Sequence, residues 1–158
     1  MAAKQTTERL FYTTEFDSLF MQGLCHLHAD SLTLAQESFK KCQKLESKSA
    51  VVAYQLANIS AMKRDTTTAI KLLKKAVRYN KSNYFYYSTL AEWYTAINDY
   101  KAATKIYQTI CKKFPDKEYP LYMLSRCYLQ LGDYAKSIKT YEQLETRIGV
   151  TAEMEDWK

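Results

Sequence analysis

The sequence predicts an all-α fold, an α-solenoid of antiparallel helix pairs, on three observations. Small residues recur 34 positions apart at Ala35, Ala69, Ala103 and Ser137. Four residues after each stands a bulky one, Phe39, Leu73, Tyr107 or Tyr141. Only three glycines and two prolines interrupt a chain that is 47% hydrophobic. A fixed period of this length marks a helical repeat, because one helix pair cannot bury its apolar side alone and must stack on the next.

In register, the units cover residues 16–49, 50–83, 84–117 and 118–149, starting near Phe16, Ala50, Tyr84 and Glu118. In the first helix of each, one column reads Gln22, Leu56, Leu90 and Leu124, and the next reads Gly23, Ala57, Ala91 and Ser125. Uniform smallness belongs where two helices cross at close range, since a longer side chain would force the backbones apart. In the second helix, the bulky residues and Cys42, Ala76, Ile110 and Leu144 lie four and seven positions beyond the small residue, which makes one apolar stripe. Arg64-Asp65, Asn98-Asp99-Tyr100 and Gly132-Asp133-Tyr134 read as the turns within the pairs, while the first turn, around Asp30-Ser31, is weakly marked. Phe114-Pro115-Asp116 closes the third unit, where proline stops a helix from continuing. Residues 1–15 read as a lead-in, and 150–158 as the opening turns of a further helix without a stop signal, as expected of a piece of a longer array.

These columns resemble the tetratricopeptide repeat, over roughly residues 16–149. Tyr87, Leu90, Ala91, Tyr94, Ala103, Tyr107 and Pro115 fall on its signature positions in the third unit, and Leu124, Ser125, Tyr128, Ser137 and Tyr141 in the fourth. The first unit departs most, with His26 where an aromatic is usual, as at an array end with one neighbour fewer. A pentatricopeptide RNA reader has a period one residue longer and would have drifted out of register across these units. The resemblance implies a right-handed solenoid whose first helices line a concave groove and whose second helices form the outer wall. The step Arg147-Ile148-Gly149-Val150, followed by an acidic helix start, also resembles repeat proteins exported to the envelope of Gram-negative bacteria. The N-terminus lacks the apolar core of a signal peptide, so cytoplasm and periplasm both stay open.

No apolar run is long enough to cross a bilayer. The chain holds no glycine-rich phosphate loop and no nucleophile elbow, so no catalytic residue and no cofactor is expected. Cys25, His26 and His28 cluster on one helix, but zinc usually needs a second pair of ligands, and packing or groove lining is the expected role instead. Cys25, Cys42 and Cys127 occupy columns that are small or apolar elsewhere, so they read as buried thiols, with a Cys111–Cys127 disulfide left open. The net charge of +6 gathers on the second helices, at Lys40, Lys41, Lys44, Lys71, Lys74, Lys75 and Arg78 among others. A solvated basic face segregated from the aromatics is expected, without specific binding of nucleic acid.

The groove positions implied by the resemblance hold Phe20 and Leu24, Tyr54 and Asn58, Phe85 and Glu92, and Tyr119, Tyr122 and Arg126. Apolar residues at such positions call for a partner or an adjoining segment to cover them. Relatives that clamp the C-terminal carboxylate of a chaperone peptide need lysines where this chain has Phe20 and Ser88, and only Asn58 matches their pattern. The expected function is a non-enzymatic scaffold that holds a protein or peptide segment in the groove. A sensory or regulatory arm of a larger membrane-bound or enzymatic protein is the alternative, and a fragment whose active site lies elsewhere is the third.

Overall fold

The computed structural model describes residues 2–149, with side chains from Thr13 onward, so the further helix expected in 150–158 lies outside the described residues. Among these residues stand eight helices and no strand: α1 (Ala2–His28), α2 (Leu32–Leu45), α3 (Ala50–Met62), α4 (Thr66–Tyr79), α5 (Tyr84–Ala96), α6 (Tyr100–Lys113), α7 (Tyr119–Gln130) and α8 (Tyr134–Ile148). This is the all-α series of helix pairs that the period implies. The stretch expected as a lead-in is part of α1, which runs on from Ala2. The helices fall into two compact units, Met1–Lys81 with α1–α4 and Ser82–Lys158 with α5–α8.

In the first unit, Ala35, Phe39 and Cys42 of α2 meet Val52, Leu56 and Ile59 of α3, and Phe16, Leu19, Phe20, Leu24 and Leu27 of α1 pack against them. Gly23 has a steric reason: a β-carbon there would lie 2.8 Å from Cε1 and Cζ of Phe39. The ring has no room to retreat because Phe39 is fully buried. Ala57 and Ala69, the matching pair on α3 and α4, are also fully buried.

In the second unit the same crossing brings Ala91 to Ala103 in sequence register, both buried, and Ser125 to Ser137. The serines make the closeness of α7 and α8 explicit. Ser125 Oγ donates to the Ser137 carbonyl at 3.0 Å, Ser137 Oγ donates to the Ser125 carbonyl at 3.0 Å, and the two Oγ atoms are 3.1 Å apart. Side-chain hydroxyls reach the opposite main chain only when the helices nearly touch. One expectation fails: Phe39, Leu73 and Tyr107 are fully buried, but Tyr141 is 45% exposed. It stands on α8, whose outer face has no following helix among the described residues.

The turns repeat as strictly as the helices. Asp30, Arg64, Asn98 and Gly132 all have positive φ, between 53° and 75°, at intervals of 34 residues. Each is followed by an N–H that reaches back to the end of the first helix: Ser31 to His26, Asp65 to Ser60, Asp99 to Tyr94 and Asp133 to Tyr128, at 2.8–3.0 Å. This is the Schellman closure, in which one left-handed residue lets the last free carbonyls find donors. Only Gly132 adopts that conformation without a side-chain penalty.

The next residue caps the second helix. Asp65 accepts from the Thr68 N–H at 3.0 Å, Asp99 from Ala102 at 3.0 Å and Asp133 from Lys136 at 3.3 Å. Ser31 instead donates to the Ala29 carbonyl and makes no cap, which explains the weak marking of the first turn. The Thr68 side chain and then its N–H hold the Asp65 carboxyl below the ordinary carboxylate value, and the Lys136 ammonium and then its N–H do the same for Asp133. A lowered folded-state pKa adds stability above the unfolded value of 3.8, and this is lost as pH falls through the folded-state value. Asp99→Ala removes one cap and no packing, and we expect it to cost about 1 kcal/mol in chemical denaturation with helicity unchanged. An unchanged midpoint would show that the turn needs no cap.

Candidate functional site

The first helices of the second unit carry exposed aromatics where solubility alone would place polar residues. Phe85, one turn before Ser88 on α5, is 54% exposed, and Tyr119 and Tyr122 on α7 are 47% and 41% exposed. Spacings of three and four put Phe85, Ser88 and Glu92 on one side of α5, and Tyr119, Tyr122 and Arg126 on one side of α7. Ser88 Oγ donates to Glu92 Oε1 at 2.9 Å and steadies the carboxylate. The Arg126 guanidinium carbon stands 5.8 Å from the centre of the Tyr122 ring.

The Tyr119 phenol lies within electrostatic reach of both helices. Its pKa lies above the ordinary value of 10.0, chiefly through burial and then through the Glu92 carboxylate, with Arg126 opposing. Glu92, Tyr119, Tyr122 and Arg126 therefore share one neighbourhood, an aromatic strip with an anion and a cation beside it. Chemically this surface can stack on or cover apolar side chains and hold polar groups of either sign. No group of three His, Cys, Asp or Glu side chains converges among the described residues.

The first unit presents less. Phe20 meets the Phe39 ring edge-on at 5.4 Å and stacks on Phe16 at 6.0 Å, and both Phe20 and Leu24 lie half-buried against the core. Tyr54 and Asn58 are half-buried on α3. Sequence position gave Phe20 and Phe85 equal standing, but only Phe85 is largely exposed.

Several other expectations take a different form. Cys25 is exposed rather than buried, and all four cysteines are free, Cys111 and Cys127 included. Burial pushes the Cys42, Cys111 and Cys127 thiols up, which makes them poor nucleophiles. Tyr128 is only partly buried, and its hydroxyl accepts from Gln108 Nε2 at 2.7 Å. Nor are cations and aromatics fully segregated: Lys113 stands over Tyr87 at 5.1 Å, Lys136 over Tyr128 at 5.6 Å and Lys117 over Tyr84 at 5.9 Å. These faces are capped by the chain's own ammonium groups. The lysines and Arg78 of α4 are exposed to solvent and line, with Thr68 and Leu72, a shallow cleft of about 520 Å³.

Beneath the aromatic strip lies Tyr107, fully buried, its hydroxyl without a partner in hydrogen-bond geometry. Thr95 is near enough to favour the phenolate slightly, but the Thr95 hydroxyl already donates to the Ala91 carbonyl. Burial dominates and drives the phenol far above its ordinary 10.0. With the folded-state pKa raised, the neutral phenol supports the fold below pH 10, and stability falls as pH rises beyond that. Tyr107→Phe removes a buried, unbonded hydroxyl, so we expect thermal stability unchanged or raised by up to about 1 kcal/mol, with a flatter decline above pH 10. A loss greater than about 1 kcal/mol would mean that Thr95 bonds the hydroxyl.

Comparison with known proteins agrees with this architecture. Residues 96–147 match the sequence model of a family described as tetratricopeptide repeat. No curated protein sequence matches the chain. Among solved structures, the MamA protein is similar at a TM-score of 0.71 and 21% identity, over 83% of this chain and 72% of that one. YrrB, described as a TPR protein with an unusual peptide-binding site, gives 0.67 and 15% identity, over 85% of this chain and 73% of that one. The first TPR of Spaghetti (RPAP3), bound to the HSP90 peptide SRMEEVD, gives 0.63 and 17%, over 75% of this chain and 97% of that one. These likenesses are of fold.

Proposed function

We propose, from the match of residues 96–147 to the tetratricopeptide-repeat model and the likeness of fold, that the chain is a non-enzymatic protein-interaction scaffold whose second unit holds an extended or helical peptide segment. One observation carries this reading: Phe85, Tyr119 and Tyr122 stand exposed beside Glu92 and Arg126 on the first helices. Rigid aromatics give large contact area at small entropic cost and commonly dominate binding energy. Glu92, steadied by Ser88, and Arg126, beside the Tyr122 ring, would set the polar register of the segment. Tyr54 and Asn58 offer a smaller set of the same kind on α3, flanked by Phe20 and Leu24.

One of the similar structures is described by its peptide-binding site and another by the peptide bound to it, which supports a peptide as the class of ligand. The acidic C-terminal peptide type is disfavoured here, since the clamp that holds it needs lysines where the chain has Phe20 and Ser88. Nucleic acid is also a poor occupant, because Tyr84, Tyr87 and Tyr128 already have ammonium groups over their rings.

The test is selection from a random peptide library displayed against the whole chain. We expect enriched sequences to carry aromatic or large aliphatic residues, and Tyr119→Ala with Tyr122→Ala to weaken their binding by roughly 2 kcal/mol or more while the melting temperature stays nearly constant. Tyr94→Ala, at a buried position, should instead lower stability by about 3–5 kcal/mol. Enrichment that survives the double substitution would remove this face as the binding surface.

A further inference from the structure

Glu92 is a carboxylate without a counter-ion in a chain whose net charge is +6. Among the described residues, the one hydrogen bond to its carboxylate comes from Ser88 Oγ at 2.9 Å, and it enters no ion pair. Two cations border the aromatic strip, and both are engaged elsewhere. Arg126 lies over the Tyr122 ring at 5.8 Å. Lys117, which stands 5.9 Å over the Tyr84 ring, pairs with Asp116 at 3.1 Å.

The surroundings of this carboxylate are aromatic. Phe85, 54% exposed, lies two turns before Glu92 on the same side of α5. The Glu92 charge also reaches the phenols of Tyr119 on α7 and of Tyr107, buried beneath, and helps to keep both protonated. An ammonium or guanidinium group binds best where an opposite charge and ring faces converge, because it gains a charge-assisted hydrogen bond and a cation–π contact together.

We propose that Glu92, walled by Phe85 and Tyr119, is a subsite for one lysine or arginine side chain of the bound segment. This rests on the peptide-binding reading above and names the residue type that the site selects. Arg126 limits the number to one, since a second cation over Tyr122 would meet a like charge. The preference also runs against the overall field of the chain, because a net charge of +6 draws acidic peptides and repels basic ones. A basic residue in the bound segment is therefore a local effect of Glu92.

The test is a displayed library of random peptides, selected in parallel against the whole chain and against its Glu92→Gln variant. We expect the parent to enrich lysine or arginine at a fixed spacing from an aromatic or large aliphatic residue. Glu92→Gln should lose the basic preference and keep the apolar one, with its melting temperature unmoved because Glu92 is exposed. For a synthetic peptide of the enriched sequence, Glu92→Gln should weaken binding roughly tenfold, and removing the cation of the peptide should cost that variant nothing further. Glu92→Lys should restore much of the affinity toward a peptide that carries glutamate in place of its cation. Apolar enrichment without a basic residue would overturn the subsite and leave the scaffold reading standing. So would an affinity that Glu92→Gln leaves unchanged, or an exchange of charges that restores nothing. A library that enriches no sequence would overturn both.

Discussion

The close crossing of the two helices in each pair is the constraint on which the rest of the structure depends. Gly23, Ala57, Ala91 and Ser125 on the first helices face a sequence partner set of Ala35, Ala69, Ala103 and Ser137 on the second. Where hydroxyls are present, the reciprocal bonds of Ser125 and Ser137 to each other's carbonyls measure the approach directly. At Gly23 even a methyl group would strike Phe39. A crossing this tight fixes the tilt of the pair, and the tilt decides which residues four and seven positions onward reach the core. Phe39, Leu73 and Tyr107 are sealed as a consequence.

The same geometry leaves one side of the first helices unspent on packing. Once the small column and the apolar stripe are spent on packing, the remaining face has no partner within the pair, and its residues are free to be chosen for contact with something else. In the second unit that choice is aromatic, with Glu92 and Arg126 in reach of Tyr119. In the first unit Phe20 and Leu24 turn back onto the core, which leaves Tyr54 and Asn58 as the polar-tipped remainder. The lysine-rich second helices supply solubility, and several of their cations cover tyrosine faces that would otherwise be open.

Repeat, helix pairs and caps were legible in the sequence because each rests on residue size or on a specific side-chain acceptor. Asp65, Asp99 and Asp133 announce their role by chemistry. The left-handed residues were less legible: Arg64 has no preference for positive φ, and its backbone is set by the closure around it rather than by its own side chain. Periodicity assigned both Phe20 and Phe85 to the groove, at different positions, but could not tell how far a neighbour covers each. Tyr141 shows the same limit, since its column is buried only where a following helix lies on it. Tyr128 matched a signature aromatic, yet its hydroxyl reaches Gln108 at the surface.

The melting temperature of Ala57→Leu, set beside that of the double variant Ser125→Ala with Ser137→Ala, tests the central constraint most directly. If size at the crossing is what matters, the double variant keeps small side chains, removes both hydroxyls together and should melt within about 1 kcal/mol of the parent. Ala57→Leu, at a fully buried crossing, should lose about 1–3 kcal/mol or more. An Ala57→Leu protein that melts like the parent would contradict the account, because the closeness of the helices would then not depend on the small residues between them.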